Sequence, residues 1–289
     1  MQLLDGKKVS EAILADIKNQ VDQRIAEHKK VPHLAAILVG DNPASQTYVA
    51  SKVKTCEYLG FKSTLSRLSA ETSEEELLQL IEKYNQDTDI DGILVQLPLP
   101  KHISEDKIIN SISPEKDVDG FHPSSIGKMV LGQDTFIPAT PNGIVMMLDY
   151  YKIPTEGKHC VVIGRSNIVG TPMSVLMSRN AQPGNCTVTL THSKTKNLKE
   201  ICLQADIIIA AIGRPNFVTA DMVKKGAIVI DVGINRIEDA SRKSGFRLVG
   251  DVDFEAVKEK CSYITPVPGG VGKMTICALM QNTLKACDL

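Results

Sequence analysis

The 289-residue sequence has almost no net charge: 33 Lys and Arg face 34 Asp and Glu, for a formal charge of −1. That balance gives no electrostatic reason to expect a nucleic-acid or anionic-membrane partner. No stretch reaches the roughly 18 continuous apolar residues that a membrane-crossing helix needs. The opening MQLLDGKKVSEAIL lacks the basic, apolar and small-residue order of a secretory leader, so a cytoplasmic location is expected. Cysteine occurs at Cys56, Cys160, Cys186, Cys202, Cys261, Cys277 and Cys287. The number is odd and no pair forms C-x-x-C, which points to buried thiols in a reducing compartment and not to a disulfide framework. The histidines show no H-E-x-x-H or similar ligand spacing, so no metal is expected. Internal repeats and low-complexity tracts are also missing. The ITPVPGGVGKMT stretch (264–275) is not a phosphate-binding P-loop. Gly272-Lys273 is present, but Val267 stands where the first glycine is required and Met274 where Ser or Thr would hold magnesium.

A hydrophobic content of 43% with 23% charged residues is ordinary for a globular enzyme, and the length suits two domains or one large one. Short apolar runs alternate with amphipathic stretches. LAAILVG (34–40) reads as a buried strand. ASQTYVASKVKTCEYLGF follows as a helix with Gly60 as its C-cap. STLSRL is a strand, SEEELLQLIEKYN a helix with an acidic first turn, and DGILVQLPLP a third strand stopped by prolines. A loop-rich region is expected from Pro114 to Pro141, with Thr140 as N-cap of a helix starting near Pro141. The rhythm then restarts: strands in HCVVIGR, CTVTLTH, DIIIAAIG and AIVIDVG, helices in VGTPMSVLMSRN and LKEICLQA. VGKMTICALMQNTLKA closes the chain as a helix. The pattern is that of two doubly wound α/β domains. Ligands in such sheets bind at the carboxyl ends of strands, and a cleft between the domains is the expected site.

In the second unit, Gly164 ends a strand and Gly170 opens a helix, within VVIGRSNIVGTPMS. The usual G-x-G-x-x-G is absent, so the two glycines either bind a dinucleotide or merely turn the chain. The next strand ends in His192-Ser193-Lys194. An NAD enzyme would usually carry an acidic residue there for the ribose 2′-hydroxyl, but none occurs before Glu200. Hydroxyl and cationic groups, with Arg165 and Ser166 on the adjacent loop, suit a 2′-phosphate. NADP is therefore expected over NAD.

In the first unit, Tyr48 and Lys52 lie four apart on one helical face. They are either a catalytic pair or a solvated lysine beside a half-buried tyrosine. Short-chain dehydrogenases use Tyr-x-x-x-Lys, but there the pair follows the Gly-rich turn within one domain. Here it precedes that turn and lies in another unit. Gln96 interrupts an apolar strand near its carboxyl end, so it needs a partner or a ligand to face. In KDVDGFHP, Asp117 suits turn chemistry around Gly120.

Six segments now stand in order: YVASK (48–52), VQLP (95–98), KDVDGFHP (116–123), PATPNG (138–143), GRSNIVGTP (164–172) and TPVPGGVGKMT (265–275). Together they resemble the bifunctional methylenetetrahydrofolate dehydrogenase/methenyltetrahydrofolate cyclohydrolase family, over essentially the whole chain. Ala139 departs from the pattern, since many members have Cys there. The resemblance implies a folate-binding catalytic domain (1–142 with 266–289, the last helix packing back) and a Rossmann-type NADP-binding domain (143–265). It implies oxidation of 5,10-methylene-tetrahydrofolate with NADP, then hydrolysis to 10-formyl-tetrahydrofolate, in a homodimer. It also implies roles: Lys52 as general acid–base, Tyr48 and Gln96 orienting it, Asp119 on the pterin edge. Val95, Leu97 and Pro268, Gly269, Gly270, Val271 and Gly272 would line the folate, and Gly164, Arg165, Ser166, Ser193 and Ile234 the cofactor. Two other readings remain open: an NADP-dependent dehydrogenase of shikimate type, and a non-catalytic folate-binding homologue.

Overall fold

The structure is a computed structural model that describes residues 1–242 and 245–289. Its first elements are β1 (Gln2–Leu3), α1 (Gly6–Ala26), β2 (His33–Val39), α2 (Pro43–Leu59), β3 (Lys62–Leu68), α3 (Glu74–Gln86) and β4 (Gly92–Val95). Then come α4 (Glu105–Ser111), α5 (Pro123–Val130), α6 (Ala139–Tyr150), β5 (His159–Ile163), α7 (Gly170–Ser178), β6 (Thr187–Thr191) and α8 (Leu198–Gln204). The chain ends with β7 (Ile207–Ala210), β8 (Ile228–Asp231), β9 (Asn235–Glu238), β10 (Phe246–Val249), α9 (Phe254–Val257), β11 (Tyr263–Ile264) and α10 (Val271–Ala286). Two compact units form. One comprises Ala12–Ala139 with Ile276–Leu289, the other Met1–Glu11 with Thr140–Thr275. The expected boundary put residues 1–11 in the first domain. They group with the second because Gln2 and Leu3 pair in parallel with Tyr263 and Ile264.

The first unit has a three-stranded parallel sheet in the order β3-β2-β4. The chain leaves β2 in one direction and returns past it in the other, so right-handed crossovers put α2 and α3 on opposite faces. Strand alternation sorts the core: Ala35, Ile37 and Val39 pack with Leu77, Ile81 and Tyr84 of α3. The start of α2 is fixed by Asn42, whose Oδ1 accepts from Ala44 N and Ser45 N at 3.0 and 3.1 Å, and its end by Gly60 at φ 78°. Helix α3 opens on a capping box between Ser73 and Glu76.

The segment 114–141 is not merely loop. Helix α5 forms there, because the Asp117 carboxylate accepts from Phe121 N, His122 N and Ser125 Oγ at 3.3, 2.8 and 3.0 Å. His122 Nδ1 then caps the helix at Ser124 N, 3.0 Å. Helix α6 begins at Ala139, so Thr140 lies inside its first turn and is not the N-cap. Its hydroxyl instead meets Thr275 Oγ1 at 3.0 Å.

The second unit has a six-stranded sheet, β1-β11-β8-β7-β5-β6, parallel throughout. Strands such as IIIA (β7) and IVID (β8) are wholly buried, as continuous apolar runs covered on both faces should be. The chain runs from β5 to β6 and then crosses to β7 on the other side. That reversal creates a switch point at the carboxyl ends of β5 and β7, the expected place for a dinucleotide. Strands β9 and β10 form an antiparallel hairpin apart from this sheet.

Candidate active site

The buried stripe of α2 is Ser45, Val49, Lys52, Cys56 and Leu59. Lysine thus occupies a core position of an amphipathic helix. Lys52 is only 5% exposed, and its Nζ donates to Gln96 Oε1 at 3.0 Å. Gln96 Nε2 donates to Leu97 O at 2.8 Å. That second bond fixes the amide so that oxygen, not nitrogen, meets the amine. Gln96 is placed by the sheet: β4 ends at Val95, yet Gln96 N still donates to Ile37 O at 2.9 Å. Tyr48, one turn before Lys52, is half-buried, and burial pushes its phenol above the usual range.

Burial pulls the Lys52 ammonium below the ordinary lysine range, opposed by the negative charge of Asp119. Burial pushes the Asp119 carboxyl up, opposed by Lys52. Each group therefore limits the other's loss of charge. Asp117, two residues away, is pushed up to about 6, chiefly by burial. Its acceptor capacity is taken by the three donors that build α5. Among the described residues, no hydrogen-bond donor reaches the Asp119 carboxylate. A small pocket lined by Val95, Leu97, Asp119 and Phe121, among others, lies beside it. The expected site residue Val95 is 7% exposed and packs in the core against α3, and it also lines this pocket.

The loop Pro268–Gly272 belongs to the second unit. Gly269 sits at φ 106°, and a Cβ on Gly270 would lie 2.5 Å from Pro266 O. The loop is held from the N-terminal segment: Lys7 N donates to Gly269 O at 3.2 Å, and a Cβ on Gly6 would lie 2.0 Å from Gly270 O. Close backbone approach, not phosphate binding, explains these glycines. Val271 is buried at 3% and opens α10; Lys273 is exposed.

At the switch point, a Cβ on Gly164 would lie 2.1 Å from Ala211 O, and one on Gly170 would lie 2.0 Å from Gly164 O. Glycine is thus required where β5 turns into α7, because the chain packs against its own backbone at both positions. Ser166 Oγ accepts from Val169 N and Gly170 N at 3.2 and 3.4 Å, which leaves its O–H free to donate. Arg165 and Ile234 are exposed. After β6 a tight turn closes, with His192 N donating to Thr195 Oγ1 and Thr195 N to His192 O, at 2.9 and 2.8 Å. It presents Ser193 and Lys194 to solvent, donors of the kind a phosphate monoester needs.

Two buried aspartates escaped the sequence reading. Asp231 and Asp251 gather seven donors where the loops leave β7, β8 and β10. Six of those donors are backbone N–H groups, which leave no sequence signal.

Comparison with known proteins gives a consistent answer. The model of the tetrahydrofolate dehydrogenase/cyclohydrolase catalytic domain matches residues 4–119, and that of the NAD(P)-binding domain of the same family matches residues 138–289. A curated relative, the bifunctional protein FolD of Cytophaga hutchinsonii, is 61% identical over the full length of both chains. The solved structure of the bifunctional methylenetetrahydrofolate dehydrogenase/cyclohydrolase from Campylobacter jejuni is 50% identical with TM-score 0.93, covering 100% of this chain and 99% of its own. A Trypanosoma brucei enzyme, solved with NADP and an inhibitor, is 35% identical with TM-score 0.93, over 98% and 96% of the two chains.

Proposed function

This chain belongs to the tetrahydrofolate dehydrogenase/cyclohydrolase family, and we propose that it oxidises 5,10-methylene-tetrahydrofolate with NADP and hydrolyses the methenyl product to 10-formyl-tetrahydrofolate, with Lys52 moving the protons of the second step. The observation that carries this reading is the buried Lys52 amine bonded to the Gln96 carbonyl oxygen. When bound, NADP supplies the hydride acceptor of the first step.

Loss of hydride leaves a cationic one-carbon bridge that water can attack without further activation. The attack forms a C–O bond and releases a proton, which a neutral Lys52 takes. Gln96 Oε1 can only accept, so it must be met by an N–H of the amine. The nitrogen lone pair is thereby left for the incoming proton. The same lysine, now charged, returns a proton to the ring nitrogen as the C–N bond breaks. Burial and a cationic substrate both disfavour ammonium, which suits a base working near neutrality. Tyr48 packs on the substrate and orients the lysine. Asp119, with both oxygens unclaimed by donors among the described residues, accepts from the amino-pyrimidinone edge of the pterin. Leu97 lines the flat ring, and the glycines of the loop 268–272 are of the kind that lets backbone approach a ring closely. Ser166, Arg165, Ser193 and Lys194 hold the cofactor phosphates, and Ile234 abuts the nicotinamide. What favours this reading over a shikimate-type dehydrogenase or a non-catalytic folate binder is the full-length similarity to bifunctional relatives.

The working form is a cytoplasmic homodimer. In its favour, β6 is an outer strand of the second unit's sheet, an edge that a second copy could cover. Light scattering on the purified protein tests this.

The decisive assay follows NADPH formation and methenyl absorbance separately, with methylene-tetrahydrofolate and each nicotinamide dinucleotide. Both activities are expected, with NADP favoured in kcat/KM. Equal or better use of NAD would overturn the 2′-phosphate assignment, and absence of methenyl hydrolysis would overturn the role of Lys52.

A further inference from the structure

The geometry points to Asp251 as a positioning residue for the dinucleotide, a reading that rests on the NADP-dependent function above. Asp251 is fully buried and follows β10 in FRLVGDVD. Its Oδ2 accepts from Ile212 N and Gly213 N at 2.7 and 2.9 Å, and its Oδ1 from Arg214 N and Asn235 Nδ2, both at 2.9 Å. Three of these donors lie in the loop that leaves β7, and the fourth follows the loop that leaves β8. Those two loops rise from the carboxyl edge of the sheet beside the switch point, where the cofactor binds. One carboxylate thus sets both.

A second carboxylate holds the first in place. Asp231 Oδ1 accepts from Gly233 N and Asp251 N at 3.0 and 2.8 Å, and Oδ2 from Val252 N at 3.0 Å. No larger residue fits around the pair. A Cβ on Gly250 would lie 1.7 Å from Asp231 Oδ2, and one on Gly233 would lie 2.2 Å from Asp251 Oδ1. The system is therefore built around carboxylates and backbone. Asp251 is placed to act on the cofactor through the loops it ties, with no contact of its own.

The two activities of the enzyme provide an internal control, because methenyl hydrolysis needs no dinucleotide. Asp251→Asn keeps the shape but replaces one oxygen by an NH2 group that faces the N–H of Ile212 and Gly213 in one orientation and that of Arg214 in the other. The expected result is a rise in the KM for NADP of about tenfold or more, as for loss of hydrogen bonds to a buried charge. Hydrolysis of added methenyl-tetrahydrofolate should stay within about twofold of wild type in kcat and KM. A soluble variant whose NADP KM is unchanged would overturn the proposal, as would equal losses in both reactions. Asn235→Ala removes a single donor and leaves the carboxylate in place. It should raise the NADP KM by a few-fold in the same direction, and if Asp251→Asn does not fold, an unchanged NADP KM in Asn235→Ala overturns the proposal. Wild type is assayed alongside. Its failure to reduce NADP would refute the functional reading itself, whereas wild-type activity with unaffected variants refutes only the role of Asp251.

Discussion

Replacing Lys52 by Met separates the catalytic demand on this side chain from its structural one. Met keeps most of the apolar stem packed on the buried face of α2 and removes the amine. General acid–base catalysis contributes about 10²–10⁴ in rate, at about 1.4 kcal/mol per tenfold, so cyclohydrolase kcat should fall by at least ~10². Dehydrogenase should remain measurable, because hydride departure needs no proton transfer. Stability should move the other way. The lysine is 5% exposed and makes one side-chain hydrogen bond, a net contribution of about 1 kcal/mol, and half-exposed Gln96 can regain it from water. Against that stands the burial that lowers the folded-state pKa. A base with a lowered folded pKa binds fewer protons when folded than when unfolded. Its cost to stability is full below the folded pKa and disappears as pH rises toward the ordinary lysine value near 10.4. The Met variant should therefore be at least as stable as wild type at neutral pH, with the difference shrinking toward pH 10. Parallel measurements of methenyl hydrolysis, NADPH formation and thermal unfolding against pH check all three points. Equal loss of both activities would mean that Lys52 only shapes the pocket. A melting temperature well below wild type, at about 2–4 °C per kcal/mol for a chain of this size, would mean that the amine is part of the fold.

Asp119→Asn should raise the folate KM in both reactions by about tenfold or more, the loss expected for hydrogen bonds to a charged group; an unchanged KM removes Asp119 from the pterin site. The same change removes the charge that holds Lys52 up, so the acidic limb of cyclohydrolase kcat at saturating folate should shift to lower pH. Asp117→Ala should behave differently. It strands the donors at Phe121, His122 and Ser125 and should cost about 3 kcal/mol in denaturant unfolding, while the folded fraction binds folate normally. Lys194→Ala should reduce the preference for NADP over NAD by about tenfold, by loss of a charge-assisted hydrogen bond, with NAD-dependent turnover unchanged; a parallel fall with both dinucleotides would contradict a 2′-phosphate contact.

What could be read from the sequence was what local chemistry decides. Helices α2 and α3 follow from their period and caps, and α10 spans the residues its pattern marks. Strands β2, β5, β7 and β8 are continuous apolar runs that a doubly covered parallel sheet requires. The failures have one cause, which is that the determining partner is distant or is backbone. Gln2 and Leu3 become a strand only because Tyr263 and Ile264 offer an edge. Helix α5 hides among Pro, Gly and Ser until Asp117 collects its donors. Asp251 reads as one more acidic residue in a charged stretch, because nothing in a sequence marks which N–H groups a carboxylate will meet. The Tyr48–Lys52 spacing, taken alone, favours a solvated lysine over a catalytic pair. The apolar stripe Val49, Cys56 and Leu59, with Lys52 in register, is the signal that separates them.

The paired aspartates of KDVDG show how one physical effect yields two functions. Burial penalises the charge of both, and although Asp119 keeps partial exposure where Asp117 has almost none, this penalty alone does not distinguish them. Hydrogen-bonding capacity does. Asp117 spends its lone pairs on two N–H groups and a hydroxyl and becomes part of the scaffold, whereas Asp119 has only the charge of Lys52 to offset its desolvation. A pterin edge that donates to Asp119 would stabilise the carboxylate and draw its charge toward the ligand. An ionised Asp119 holds the Lys52 ammonium up, whereas the cationic bridge arriving beside the amine pushes it down, and the bridge, being the nearer charge, sets the direction. The lysine thus becomes a better base with substrate present than without it, and its pKa in the free enzyme is an upper limit to the one that governs hydrolysis. Titrating the lysine amine with and without a bound cationic folate analogue measures the difference, and a rise on binding would refute this coupling.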